Sequence, residues 1–286
     1  MAVVVSLINM KGGVGKTTIA AQLAHHADAL GWNVLAVDLD PQSNLSQALL
    51  GHFRYRRHLE TQKPTIDDVV RGYLPPTRKR GSPATVRGSD AILPGIGVRF
   101  GSVLDLLPSQ LELAHTMKRS KIDPQSLARS IAEVADAYRL ILIDCAPTES
   151  ILTETAYYAS RHVVVPVKPE YLATIGLPLL ERSLKEYNGA NRKQRISIAG
   201  IVINHTTYQS QPNPETEQSI REVRIEANKN KWRVFDTQIP YSRSWPRAIR
   251  SGNPIGRTKH ARPNVRGSFG RFATECFAAV GLDGGK

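Results

Sequence analysis

Short, almost continuously apolar runs rich in β-branched residues recur along this chain of 286 residues. Such runs are typical of strands buried on both faces, as in a parallel sheet covered by helices. Between them lie segments with helical spacing, and this alternation predicts a doubly wound α/β fold with a mostly parallel sheet and helices on both faces. The predicted strands are Val3–Ile8, Val34–Val37, Val103–Leu107, Leu140–Ile143, Val163–Val167 and Ile198–Ile203, and the predicted helices are Thr17–Leu30, Gln125–Ala137 and Pro214–Asn228.

Composition excludes several classes of protein. The chain has no run of 18 apolar residues, so we expect no membrane-spanning segment. The apolar N-terminus is short and lacks a basic region before it, which favours a buried strand over a signal peptide. Two cysteines exclude a disulfide scaffold and fit a reducing cytosol. We therefore expect a cytoplasmic protein.

Two segments break the strand–helix rhythm. Residues 54–101 contain five prolines and several glycines, and we expect an irregular basic excursion there. Within it, Pro75–Gly88 has no periodicity and should form an exposed basic loop. Ser251–Gly267 is also rich in Gly, Pro and basic residues and should be irregular. No linker separates two self-sufficient cores, so we predict a single domain over residues 1–286.

A glycine-rich loop follows the first predicted strand directly and precedes the first predicted helix. Its glycines permit a tight turn in which successive N–H groups point into one concavity, and the helix N-terminus adds a positive dipole end. We expect Lys16 to reach the β- and γ-phosphates of a nucleotide and the Thr17 hydroxyl to bind Mg²⁺. A dinucleotide fingerprint is excluded because Lys16, Thr17 and Thr18 follow Gly15 where a third glycine is needed.

Three carboxylates stand at or just after the ends of predicted strands. Asp38 and Asp40 end the second strand, and Asp144 ends the fourth. Because ligands of such folds bind beyond the carboxyl ends of the strands, these side chains should face the phosphate loop. Asp38 then belongs in the Mg²⁺ shell, Asp40 orients an attacking water, and Asp144 holds Mg²⁺ through water. The alternative is that Asp38 and Asp40 only form the turn.

Three motifs in this order resemble those of the ParA/MinD superfamily of ATPases. KGGVGKTT at residues 11–18 resembles the family's deviant Walker A motif. In this chain Met10 stands where the ordinary motif has glycine, and an additional lysine, Lys11, follows it. VDLDPQSN at 37–44 resembles its D-x-D-P-Q segment, and LILIDCAP at 140–147 is similar to its Walker B motif. The resemblance implies a P-loop NTPase fold with ATP and Mg²⁺ as cofactors.

The same resemblance implies roles for individual residues. Lys11 resembles the signature lysine, which reaches the partner's nucleotide across a homodimer that sandwiches ATP. Asp40 resembles the aspartate that supports hydrolysis, and with Lys11 and Lys16 it completes the predicted catalytic set. The expected nucleotide-binding residues are Lys11, Gly12, Gly13, Val14, Gly15, Lys16, Thr17, Thr18, Asn204 and Pro240, and the expected metal-binding residues are Thr17, Asp38 and Asp144.

Positive charge is concentrated in the C-terminal third. The net charge is +13, and residues 182–271 hold 18 Lys/Arg against 6 Asp/Glu, an excess of 12. This asymmetry favours a polyanionic partner, and no base-reading motif accompanies it, so binding to phosphate backbones should be nonspecific. The alternative is a solvated basic surface without a partner. The family resemblance implies nonspecific double-stranded DNA, with expected contacts from Arg221, Arg224, Lys231, Arg243 and Arg247.

The leading hypothesis is an ATP-dependent, dimerising ATPase that partitions a plasmid or chromosome. Its intrinsic turnover should be slow and raised by a ParB-like partner, and it should be nucleoid-associated. A MinD-like protein would instead end in a basic amphipathic helix that lies on a membrane. Here the last helical pattern is apolar with few basic residues, so we expect it to dock on the core, without stable membrane association. A positioner of protein cargo and an amide-forming ligase remain alternatives.

Overall fold

A computed structural model of the chain describes residues 2–72, 86–99, 102–119, 122–170, 173–206, 213–258 and 261–282. Within these residues, eight strands form one sheet in the order β3-β4-β2-β5-β1-β6-β7-β8. All neighbouring strands are parallel except β3, which pairs antiparallel with β4. The strands are β1 (Val3–Leu7), β2 (Val34–Leu39), β3 (Leu93–Arg99), β4 (Ser102–Leu107), β5 (Leu140–Cys145), β6 (His162–Val167), β7 (Ser197–Thr206) and β8 (Ile239–Pro240).

Helices cover both faces of this sheet, which confirms the predicted doubly wound α/β fold. One layer is formed by α1 (Lys16–Ala29), α2 (Asn44–Glu60), α9 (Ser244–Ser251) and α10 (Pro263–Ala279). The other layer is formed by α3 (Ile66–Arg71), α4 (Glu112–Arg119), α5 (Ser126–Val134), α6 (Ile151–Ala159), α7 (Ala173–Ala190) and α8 (Pro214–Lys229).

Alternate residues of each central strand pack into different cores, one on each side of the sheet, and for this reason the strands are apolar without interruption. In β2, Val34 and Ala36 pack into the core under α1, whereas Leu35 and Val37 pack into the core of the opposite layer. All four side chains are buried because successive residues of a strand point to opposite faces. A sheet with one wet face would need a polar residue at every second position.

The expectation of an irregular segment over residues 54–101 is wrong for most of its described part. Helix α2 extends into this region and ends at Glu60. Helix α3 follows it, and strand β3 forms the last described part of the region. The second half of α2 is rich in arginine and lies beyond a kink at Gly51, whose φ of 73° and ψ of 161° interrupt the helical geometry. Because of the kink and the weak apolar pattern, the spacing of apolar residues does not predict this half of the helix.

Strand β3 was hidden for a different reason. It contains Pro94, Gly95 and Gly97, residues that normally indicate a loop. Pro94 is tolerated because β3 is an antiparallel edge strand, where the N–H that proline lacks is not needed to pair with a second neighbouring strand. The predicted basic loop Pro75–Gly88 lies outside the described residues except for its last three positions.

The C-terminal region is more regular than predicted. Within Ser251–Gly267, a 3₁₀ turn covers Ile255–Arg257 and α10 begins at Pro263, at the first helical position, where proline is favourable. The apolar face of α10, including Phe269 and Phe272, is buried in the core, which confirms that this helix docks there. Across the described ranges we find no helix long and apolar enough to cross a membrane.

Phe235 provides a test of this packing. Its ring is fully buried, lies edge-on to Phe272 at 5.4 Å, and covers Gly200, where an added Cβ would come within 2.5 Å of the ring. We expect Phe235→Ala to lower the free energy of unfolding by about 3–5 kcal/mol, because it leaves a cavity. The same change at Phe53, which is 87% exposed, should cost less than about 0.5 kcal/mol. Urea unfolding measures both, and equal losses would contradict the packing described.

Candidate active site

The glycine-rich loop connects β1 to α1 and is shaped by close contact with β7. Gly13 and Gly15 have φ values of 74° and 96°, in the left-handed region that favours glycine. A Cβ at Gly15 would also lie 2.3 Å from the Asn204 amide nitrogen. Both the backbone conformation and the lack of space therefore require glycine at position 15.

Two buried asparagines hold the loop at two points, one at its start and one at Val14. The Asn9 amide nitrogen donates to the Pro166 carbonyl at 2.7 Å, and its oxygen accepts from the Lys11 N–H at 2.8 Å. The Asn204 amide nitrogen donates to the Val14 carbonyl at 2.8 Å. Since each asparagine also belongs to a strand or its end, the loop is fixed relative to the sheet before any ligand arrives. Asn9 was not identified from the sequence.

Lys16 is the buried cation of this loop. It is 7% exposed, and its ammonium donates to the Asn9 and Lys11 carbonyls at 3.0 and 3.1 Å. Burial lowers the pKa of Lys16, while the charges of Asp144 and Asp40 act in the opposite direction. An ammonium held this way by neutral carbonyls is suited to bind phosphate oxygens, which would supply the missing countercharge.

Asp38 and Asp144 are direct neighbours on β2 and β5, and both are fully buried. The Asp38 carboxylate accepts from the Ser46 N–H at 2.7 Å, the Ser46 hydroxyl at 2.6 Å and the Asp40 N–H at 3.3 Å. Burial nevertheless raises the pKa of Asp38 to about 7. Two of its three hydrogen bonds come from Ser46 in the first turn of α2. Its place in a magnesium shell stays a prediction.

Asp144 differs because neither of its oxygens has a hydrogen-bond partner of normal geometry among the described residues. Burial, reinforced by the charge of Asp38, raises the pKa of Asp144 well above its ordinary value, and the Thr17 hydroxyl and Lys16 oppose this. Buried carboxylate oxygens are rarely left unsatisfied. Oxygen ligands and a local negative charge are what Mg²⁺ with its water shell requires, so these residues fit that ion.

A cleft of about 1340 Å³ opens above the loop. Gly12, Gly13, Gly15, Lys16, Thr17, Thr18 and Asp40 line it, as expected of the predicted site. Asp40 is held at the wall because its Oδ1 accepts from the Gln42 N–H at 2.9 Å. The cleft is large enough for a nucleotide, since pockets for small molecules usually have about 300–1,000 Å³.

The cleft wall does not include the buried aspartates Asp38 and Asp144, nor four of the predicted nucleotide-binding residues. Val14 packs into the interior, and Asn204 lies behind the loop. Pro240 is buried, and its carbonyl accepts from the Trp245 indole at 2.9 Å. Lys11 points to Glu170. The wall on the β7–β8 side, which sequence reasoning missed, is formed by His205, Tyr241, Ser242, Trp245, Pro246, Ile249 and Arg250.

Lys11 forms an ion pair that the sequence did not predict. Its ammonium lies 2.8 Å from Glu170 Oε2, and Lys168 contacts the other oxygen of the same carboxylate. Hydrogen bonds from Lys11 and Lys168 lower the pKa of Glu170 to about 2. In the isolated chain, Lys11 is therefore directed toward β6 and away from the cleft.

The five predicted DNA contacts are all exposed but belong to different layers. Arg221 and Arg224 lie on α8, which packs with α7, and Arg221 is 3.8 Å from Glu217. Lys231 follows this helix. Arg243 precedes α9 and Arg247 lies on it, in the layer that contains α1 and α2. The contacts can share one surface only around the β7–β8 edge of the sheet.

Known proteins resemble this chain in sequence and in fold. Residues 2–198 match the family described as AAA domain. The chromosome partitioning protein ParA of Caulobacter vibrioides is 33% identical over 252 residues, which cover 88% of this chain and 85% of ParA. The chromosome-partitioning ATPase Soj of Treponema pallidum is 31% identical over 276 residues, 96% of each chain. A McdA variant of Cyanothece in complex with ATP has the same fold, with a TM-score of 0.78, 18% identity and coverage of 97% and 96%.

The raised pKa of Asp38 predicts how stability depends on pH. Because its folded-state pKa of about 7 lies above the ordinary value of 3.8 for an aspartate, Asp38 destabilises the fold increasingly as pH rises from the lower to the higher of these values. Without nucleotide or Mg²⁺, Asp38→Asn should therefore gain stability relative to the natural chain between pH 5 and 8. The gain is at most about 2.7 kcal/mol, because about two pKa units of the window lie in this interval and each is worth about 1.36 kcal/mol.

Urea unfolding at both pH values checks this expectation. Asp136→Asn makes the same chemical change at an exposed position and serves as the matched control. If the difference between Asp38→Asn and the natural chain did not change with pH, the buried carboxylate would not be the cause.

Proposed function

The chain belongs to the ParA/MinD superfamily of positioning ATPases, and from this premise we propose that it segregates DNA as a nucleotide-controlled switch. In this proposal, ATP and Mg²⁺ bind in the cleft, two chains close around two nucleotides, and the closed homodimer binds DNA nonspecifically. Hydrolysis opens the dimer and releases DNA. A ParB-like partner accelerates this slow step.

One observation supports the nucleotide site most directly. Among the described residues, neither buried oxygen of Asp144 has a hydrogen-bond partner of normal geometry. This carboxylate lies close to Lys16 and Thr17, which belong to a loop whose backbone is already fixed. When bound there, Mg²⁺ would neutralise developing charge on the phosphates. Lys16 would exchange its two carbonyl partners for phosphate oxygens, and the Thr17 hydroxyl and Asp144 would hold the ion's shell.

Asp40 is the residue we assign to the attacking water. Its carboxylate lies on the wall of the cleft and accepts a hydrogen bond from the Gln42 N–H. The Ser46 N–H donates to Asp38 and not to Asp40. A carboxylate at this position can orient a water and accept its proton. The structural separation of the two aspartates, one bonded to α2 and one lining the cleft, supports different roles for them.

Lys11 connects nucleotide binding with dimerisation. In the isolated chain it is paired with Glu170, at a position where both side chains are partly exposed. An ion pair of this exposure contributes little stability, so its replacement by a phosphate is energetically accessible. We propose that Lys11 leaves Glu170 to contact the partner's nucleotide when two chains meet.

The distribution of charge supports DNA as the partner of the closed state. Arg243 and Arg247 are exposed, and no ion pair involves them among the described residues. Their helix, α9, also supplies Trp245, Ile249 and Arg250 to the wall of the cleft. One short helix therefore connects the nucleotide with the basic surface, which favours a change of DNA affinity with nucleotide state.

The switch is tested by separating hydrolysis from DNA binding. We expect Asp40→Ala to lower ATP hydrolysis by about 100-fold or more, since it removes the residue that orients the water, while DNA retention with ATP persists.

Lys11→Ala should bind ATP as a monomer and retain little DNA. Phosphate release, light scattering and DNA retention measure the three properties. Equal DNA retention with ATP and with ADP, at several salt concentrations, would refute the switch.

The DNA surface is tested by paired charge removals. Arg243→Ala/Arg247→Ala should weaken DNA binding in the ATP state and reduce the slope of log affinity against log salt by about two, because each phosphate contact contributes about 0.9. Arg182→Ala/Lys185→Ala removes the same charge from α7, where both residues pair with glutamates, and serves as the control. Equal weakening by both variants would show that only net charge matters.

A further inference from the structure

A second, smaller groove lies between the arginine-rich half of α2 and the edge strand β3. It has a volume of about 340 Å³, and we call it the α2–β3 groove. Leu93 and Ile96 of β3 form an apolar side, whereas Arg54, Arg57 and Lys63 bring positive charge to the other. Its lining contains no acidic residue. An apolar wall with a few polar groups is typical of small-molecule sites, and cations among those groups favour an anionic ligand.

His58 supplies a buried polar group without a partner. The residue is 6% exposed and lines the groove, and its Nε2 has no hydrogen-bond partner among the described residues. Burial and the charge of Lys63 lower the pKa of His58, so the ring is neutral at physiological pH. A buried ring nitrogen without a partner is costly, and in the tautomer protonated at Nε2 it can donate to an anionic oxygen.

The cations of the groove are also without acidic partners. No ion pair involves Arg54, Arg57 or Lys63 in the part of the chain that the structure describes, whereas the adjacent Arg56 pairs with Glu60 at 3.4 Å. Three cations around one buried donor exceed what a single carboxylate ligand requires. Guanidinium groups bind phosphate oxygens through two parallel hydrogen bonds, and several such donors match a doubly charged phosphate.

We propose that the α2–β3 groove binds a phosphate group, with Arg57 and Lys63 as its principal ligands and His58 as the buried donor. The phosphate belongs either to a small phosphate ester or to the backbone of DNA. This site is separate from the nucleotide cleft and does not depend on the proposed function. It gives a role to a basic region that lies outside the charged C-terminal third.

The groove is joined to the nucleotide cleft by shared residues. Leu50 and Arg54 line both cavities, on either side of the Gly51 kink. Helix α2 itself begins at Asn44, shortly after Asp40. A ligand that draws Arg54 toward the groove therefore removes a cation from the wall of the cleft.

The His58 ring provides a site-specific reporter for the test. Inorganic phosphate and pyrophosphate are titrated into the full chain with MgADP present, and the ring nitrogen resonances of His58 are followed by NMR. We expect a saturable shift. Arg57→Ala/Lys63→Ala should raise the dissociation constant at least about tenfold, because charge-assisted hydrogen bonds are lost. Both residues are exposed, so the variant should remain folded, which its unfolding curve verifies.

Arg56→Ala is the matched control, since it removes one adjacent arginine that does not line the groove. It should change the dissociation constant less than about twofold. Absence of a saturable shift, or equal weakening by the control and the double variant, would overturn the proposal. A short DNA duplex distinguishes the sources: a shift with DNA that competes with phosphate identifies the backbone, and a shift with the small anions alone identifies a phosphate ester.

Discussion

Two carboxylates buried side by side, Asp38 and Asp144, determine how the surrounding structure is arranged. Like charges in register on adjacent strands, without solvent, cannot both stay ionised unless other groups compensate. Asp38 accepts hydrogen bonds from three donors, the Asp40 N–H and the N–H and hydroxyl of Ser46. The ammonium of Lys16 lies close enough to Asp144 to oppose the rise of its pKa. The start of α2 and the buried ammonium of Lys16 are both connected to this pair. A cation bound at Asp144, as proposed above, would complete the compensation and make the ligand part of the fold's electrostatic balance.

Sequence reasoning was most accurate where local chemistry leaves few alternatives. The uninterrupted apolar strands indicate burial on both faces, and for this reason six of the eight strands were located from the sequence. The loop glycines indicate a turn that other residues cannot adopt, which located the glycine-rich loop between β1 and α1. The ends of strands were less accurate. Strands β2 and β5 extend through Asp38 and Asp144, because backbone pairing continues past the point where the side chains become polar.

Other features depend on contacts between distant parts of the chain and leave no local signal. Asn9, Ser46 and Glu170 have ordinary sequence surroundings, and only the folded sheet brings them to the loop, Asp38 and Lys11. The arginines of α2 are similar. Counting charge along the chain directed attention to residues 182–271, whereas tertiary packing places α2 directly against α9 and adds Arg54 to the same cleft as Arg250. Charge density along the sequence and charge density in space are different quantities.

The contact between Asn204 and the loop has a consequence for the order of folding. It joins residues 190 positions apart, because the Asn204 amide donates to Val14 and occupies the space beside Gly15. Strands β1, β2 and β5 can pair before β7 exists, but the loop lacks one of its two supports until β7 has been added. During synthesis, the central sheet can therefore form while the loop is still loosely held. The phosphate cradle becomes rigid only when the C-terminal strands arrive, and a chain interrupted before β7 would carry the whole motif without its working geometry.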